Sequence, residues 1–230
     1  MLFSSWVRNM KHSAAAALRT QTSSRPRARF RPRMEAIEDR CLLSGYQQTN
    51  LVGYQTGIAR FTDTNLNGWG MASMRNGDFV VSNTFTTGLA TFYSSSGHVL
   101  PQTITIPGSA SPVLDQALGI GPGGHPTGVV YNPTNNFVIS EHGRSAPARL
   151  IFDSIDGTIS GWNPAVDPTH AIVMVDNGAA ADAYTGLDMA RNSQGKYVLY
   201  ATDFTQNRIE MFNSSFKPIG SFTDSTVTSI

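Results

Sequence analysis

From Gly45 onward the chain alternates short apolar runs with polar, glycine-bearing turns, and the runs recur in a fixed order. The segments WGMASM, TGVVYN and TGLDMA place Gly70, Gly128 and Gly186 at two equal intervals of 58 residues. Each is followed by a turn and a strongly apolar stretch: DFVVS at 78–82, NFVIS at 136–140 and KYVLY at 196–200. A third stretch follows at 89–93, 148–152 and 208–212, and a fourth at 102–106, 170–175 and 218–222. Stretches this short, bounded by Gly, Asn, Asp and Ser, predict strands, and no segment shows a capped helical period. Four strands per unit at a period of 40 to 60 residues is the signature of propeller blades. The predicted class is all-β: a partial β-propeller of about three four-stranded blades, 61–115, 122–178 and 180–230, within a body spanning residues 45–230.

The residue types suit that geometry. Inner strands converge where space is short, which favours the Gly, Ala, Ser and Thr found there. Second strands covered on both faces by neighbouring blades read as continuous apolar runs. The stretch 208–212 alternates, with Ile209 and Met211 against Arg208 and Glu210, as expected nearer a rim. Three blades leave an open array, so the chain reads as a truncated member of a longer class, or as one whose ring closes through an oligomer. Leu187, Val198, Leu199 and Ile209 are then expected to face a further blade.

Tyr197–Asp203 and Asn207–Phe212 resemble the NHL repeat, in which a strand ending in Ala-Asp precedes an Asn-Arg-Ile turn and a second strand. YQQTNLV, FTDTNLNGWG, DGTISGWNPAVDPT and SSFKPIGSFTD are similar to an uncharacterised family of exported bacterial propellers related to NHL proteins, some of which end in a PEP-CTERM sorting tail. The resemblance covers residues 46–224 and implies a propeller fold, with no established activity to carry over.

Charge divides the chain. Residues 1–40 hold nine Lys/Arg against three Asp/Glu, a local charge of +6, while residues 41–230 hold eight against thirteen, a charge of −5. Arginines at every second position of 25–33, with prolines at 26 and 32, cannot pack, so residues 1–44 read as a mostly disordered basic leader. An acidic body carries no footprint for nucleic acid, and no apolar run reaches the length of a membrane span. The single cysteine, Cys41, excludes an intrachain disulfide and a multi-cysteine metal site. Ile37, Glu38, Asp39, Arg40, Leu42, Leu43 and Ser44 resemble an LEDRxLLS-type motif near the N-termini of exported bacterial proteins. The resemblance implies export to the cell surface or the extracellular space.

Chemistry is sparse. Asn83, Glu141 with His142, and Asp203 end the three predicted second strands. Were they to converge at a channel mouth, carboxylate, amide and imidazole would suit Ca²⁺ or a transition metal. The competing reading is that Asn83 and Asp203 bond turn amides. No other cofactor is expected. The run from Gly119 to Gly124 satisfies GxGxxG but neither follows a clear strand nor opens a helix, and so reads as an interblade connection. Asp156-Gly157 reads as a hairpin turn, and Trp69 and Trp162 as blade-packing aromatics. There is neither a GxSxG elbow nor an HExxH pair. The expected function is an exported binding module for an extracellular protein or glycan. The alternative is a metal-dependent hydrolase or lactonase.

Overall fold

The structure is a computed structural model describing residues 47–84, 88–121 and 123–224. The basic leader and its motif lie outside these residues. A short parallel pair, β1 (Val52–Gly53) and β2 (Phe61–Thr62), leads into the first blade, formed by β3 (Gly68–Ser73), β4 (Phe79–Asn83), β5 (Leu89–Tyr93) and β6 (Val99–Thr105). A connection carrying the helix α1 (Val113–Leu118) reaches β7 (Pro126–Tyr131). A separate hairpin, β8 (Val138–Glu141) and β9 (Arg144–Pro147), then precedes β10 (Leu150–Ser154), β11 (Thr158–Trp162) and β12 (Ile172–Asp176). The last blade is β13 (Tyr184–Arg191), β14 (Tyr197–Asp203), β15 (Arg208–Phe212) and β16 (Pro218–Phe222). Each blade is an antiparallel sheet in the orders β3-β4-β5-β6, β7-β10-β11-β12 and β13-β14-β15-β16. This is the all-β, three-bladed propeller-type array that the repeat predicts. Among the described residues it also contains the short helix α1 and a 3-10 turn at Gly178–Ala180, which the pattern of residues did not reveal.

The second blade departs from the predicted strands. Its second strand is β10 and its third is β11, whereas the apolar run at 136–140 enters the β8–β9 hairpin. That run has the right pattern because it is buried for another reason. Phe137 and Ile139 are fully covered in the core between the second and third blades, and the Phe137 amide donates to Ser214 O at 3.0 Å. Phe137 also meets Phe216 edge-on at 5.4 Å. The hairpin thus clasps one blade to the next. The Asp156-Gly157 turn is present, with Gly157 at φ 83° and its amide donating to Ser154 O at 3.1 Å.

Two cores hold the array together. Val80, Phe92 and Ile104 meet Leu150, Phe152 and Trp162 between the first two blades. Ile151 and Ile159 meet Tyr184, Leu199 and Phe212 between the second and third. Each such side chain contributes roughly 1.5–3 kcal/mol by leaving water. Leu187 and Leu199 therefore face the second blade, because odd positions of β13 and β14 share that face. Val198 and Ile209 lie on the opposite one.

β3 and β13 both pack on β7, which explains the glycine period. A side chain on Gly70 would strike Thr127 O, and one on Gly128 would lie 2.6 Å from the Leu187 amide nitrogen. At Gly186 it would meet only Thr202 Oγ1, of its own blade, at 3.0 Å. At Gly70 and Gly128 the repeated glycine is a contact requirement between adjoining inner strands. A register shift beside Gly70 and Gly186, and another in the pairing of β7 with β10, places a bulge near each glycine.

Candidate functional site

At one end of the sheets the second strands stop, the third strands begin and the interblade connections return. Asn83 and Asp203 sit there, both buried. Asn83 Oδ1 accepts from the Asn67 amide at 2.8 Å, and its Nδ2 donates to Thr91 Oγ1 at 2.9 Å. Thr91 Oγ1 lies 2.8 Å from Tyr93 Oη, which donates to Asp63 Oδ2 at 2.8 Å. This chain of bonds fastens the lead-in segment over the first blade. Burial, joined by the Asp63 carboxylate, raises the Tyr93 hydroxyl, while Thr91 opposes the rise.

Asp203 plays the matching part in the last blade. Its Oδ1 accepts from the Ala183 amide at 3.1 Å and its Oδ2 from Arg208 Nε at 3.0 Å. Arg208 also reaches Asp182 Oδ2 at 3.0 Å and Glu210 Oε2 at 3.6 Å. Glu210 in turn accepts from Tyr184 Oη at 2.6 Å. Burial, with Asp203 adding to it, holds the Asp182 carboxyl above the ordinary range against the pull of Arg208. One guanidinium thus neutralises part of a three-carboxylate cluster, an arrangement that costs stability if the cation is removed.

Glu141 and His142 are elsewhere. They form the tip of the β8–β9 hairpin, which is rooted at the opposite end of the sheets, and the His142 side chain is 87% exposed. His142 Nδ1 lies 3.8 Å from Glu141 Oε2. The residue equivalent to Asn83 and Asp203 in the second blade is Ser154, since β10 is its second strand. The four predicted ligands therefore do not share one loop cluster. Among the described residues no group of three or more His, Cys, Asp or Glu side chains is placed to hold a metal ion.

Two features escaped sequence reasoning. The first is Asp153, which with Ser82 and Thr202 forms a row beside the three glycines. Ser82 Oγ donates to Thr127 O across the first interface at 2.5 Å. Thr127 Oγ1, with one proton to give, stands 2.7 Å from Tyr184 O across the second and 2.8 Å from Asp153 Oδ1, which also accepts from the Gly128 amide. Asp153 is fully buried and its Oδ2 has no hydrogen-bond partner. Burial pushes its carboxyl up to about 6, against the hydrogen bonds from Thr127 and Gly128. The sequence carries no fixed spacing that marks this row: the residue lies 12 positions after the glycine in the first blade, 25 in the second and 16 in the third.

The second feature lies in the connection between the first two blades. His125 Nε2 donates to Gly121 O at 3.0 Å and stands 3.7 Å from Asp115 Oδ2, with both side chains nearly fully buried. Asp115 has no hydrogen bond to either oxygen. Burial raises its carboxyl, with His125 opposing and Asp156 adding to the rise. Asp156 is raised by burial too, although it accepts from Thr158 Oγ1 at 2.8 Å and from the Ser109 amide at 3.0 Å. Of the two tryptophans among the described residues, Trp162 is buried in the core as expected, whereas Trp69 is 48% exposed.

No protein-family model matches the chain. It is similar to two uncharacterized proteins of Acanthamoeba polyphaga mimivirus. It is 28% identical to L690 over 190 residues, 81% of this chain and 46% of that protein. It is 26% identical to R648 over 196 residues, 84% of this chain and 45% of that protein. The chain thus spans less than half the length of these relatives. Among solved structures it resembles a catalytically inactive virginiamycin B lyase from Staphylococcus aureus, solved with quinupristin (TM-score 0.43, 12% identity, 70% of this chain and 42% of that one). It also resembles the hydrazine synthase of Kuenenia stuttgartiensis (TM-score 0.44, 12% identity, 75% and 40%). The relatives found by sequence are viral, whereas the resemblance in the motifs implied a bacterial source.

Proposed function

We propose that this chain is an exported, propeller-type binding module rather than a metal-dependent hydrolase. The observation that carries this reading is the commitment of Asp203. Both of its oxygens are taken by the Ala183 amide and Arg208, so the best carboxylate of the expected ligand set serves to lock a blade. Asn83 is engaged in the same way. With these residues spent on framework bonds, the surfaces left for function are the sheet ends and the loops between blades. The export part rests on the basic leader and on the motif at 37–44.

Two measurements test the proposal. Residues 1–44 fused to a reporter should carry it out of a bacterial cell, and changing Glu38, Asp39 and Arg40 to alanine should retain it inside. The purified full chain should retain no stoichiometric, chelatable Ca²⁺ that is lost on Glu141→Ala or Asp203→Ala. Such a metal would return the hydrolase reading to first place.

A further inference from the structure

At the other end of the sheets, where first strands turn into second strands, a cleft of about 260 Å³ lies between the first two blades. Arg75 comes from the turn after β3, and Arg149 immediately precedes β10. Both arginines line this one cleft, and Tyr131 and Asn135 line it too. Residues 41–230 contain only eight cationic side chains in a body of charge −5, so two in one cleft is a local reversal of sign. Among the described residues neither guanidinium has a carboxylate partner. Asp78, the acid of the same turn as Arg75, is engaged by Asn76 Nδ2 at 2.6 Å.

The cleft is walled in part by residues whose side chains are already bonded to the framework. Asn132 Nδ2 donates to Ala148 O at 2.8 Å and to Asn136 O at 3.0 Å, and its Oδ1 accepts from Thr134. Asn163 Nδ2 donates to Pro147 O at 2.6 Å, and its Oδ1 accepts from the Ala165 amide. The walls are therefore fixed before any ligand arrives, which lowers the ordering cost of binding.

The same bonds decide what can bind. Pro133 and Pro147 have no amide hydrogen, the amide of Asn132 is bonded to Arg149 O, and that of Ala148 to Phe137 O. A peptide strand has few backbone partners to pair with here. What remains is two fork-shaped guanidinium donors, an amide, a phenol and proline rings. That set fits an anionic group flanked by hydroxyls and a C–H face. The volume lies just below the usual range for small-molecule sites, which suits one sugar unit rather than a folded partner. We propose that this cleft binds an acidic saccharide, a sugar carrying a carboxylate or sulfate, through Arg75 and Arg149. The inference rests on the binding-module reading and names its ligand class.

Titration calorimetry of the full chain with an oligogalacturonate, a sulfated heparin tetrasaccharide, a neutral maltotetraose and a tetraglutamate peptide tests it. Binding of either acidic saccharide, with Arg75→Gln and Arg149→Gln each weakening it by about tenfold or more, is the expected result. The two saccharide arms tell carboxylate from sulfate. The leader is itself cationic, so each variant is compared with the wild type in the same chain, where the leader's share is constant. Because both arginines are exposed, the thermal midpoint should stay within about a degree, which separates lost binding from lost fold. Equal affinity for the neutral sugar, tighter binding of the peptide, unchanged affinity in both variants, or no binding at all would overturn the proposal. If the cleft fails while the chain still adheres to intact cells, the binding-module reading stands and only its ligand is wrong. A chain that adheres to nothing removes both.

Discussion

Asp153 offers the sharpest test of how the blades are joined. Its carboxyl is fully buried between the second and third blades and rises from an ordinary value of 3.8 to about 6. The direction fixes the sign. Below the unfolded value both states carry the proton, and the group costs the fold nothing. Between the unfolded value and about 6 the folded state holds the proton more tightly than the unfolded chain does. Stability must therefore fall as pH rises through this window and level off above it. A rise of about two pH units corresponds to a loss of about 3 kcal/mol, large against the total stability of an ordinary domain. Asp153→Asn keeps an oxygen to accept from Thr127 and Gly128 but cannot ionise. Urea unfolding of wild type and variant at half-unit steps from pH 3.5 to 7.5 gives the difference in stability, in which shifts of other carboxylates such as Asp115, Asp156 and Asp182 cancel. The variant should gain on the wild type by about 3 kcal/mol across the window. A difference that stays flat with pH would refute the reasoning. So would one that grows only below pH 4.

Three further outcomes follow from the packing. Gly128→Ala should cost about 2 kcal/mol or more in urea unfolding, because backbone of the third blade stands 2.6 Å from the added carbon. Gly186→Ala should cost clearly less, since only the rotatable Thr202 hydroxyl is near. Phe212→Ala should cost about 3–5 kcal/mol, whereas Phe222→Ala, half exposed on the last strand, should cost under about 1 kcal/mol by the same measurement. Arg208→Met leaves Asp182, Asp203 and Glu210 without their cation, so it should lower the thermal midpoint at pH 7.5 and recover part of the loss at pH 5.

How much of the site was legible in the sequence follows from which residues act locally. Asn83 and Asp203 were found because the end of an apolar run marks the end of a strand, and an Asx side chain there bonds amides nearby in space. Glu141 and His142 were placed beside them by the same rule. The rule failed because an apolar run shows that a segment is covered, not which neighbour covers it. The Arg75–Arg149 cleft was invisible for a related reason: a turn in one blade and a strand start in the next meet only after the blades stack.

The sequence by itself determined the number of blades, the order of their strands in the first and third, and the spacing of the glycines. Each of these depends on short-range alternation and on turn residues that any chain of this composition obeys. Tertiary structure alone decided that the run at 136–140 clasps two blades as a hairpin and that Leu187 and Leu199 turn toward the second blade. It alone placed a carboxylate, Asp153, within the seam. These outcomes depend on which surfaces come within van der Waals reach of one another. The glycine recurring every 58 residues joins the two levels, because its period is written in the chain, while its necessity exists only where β7 lies against β3 and β13.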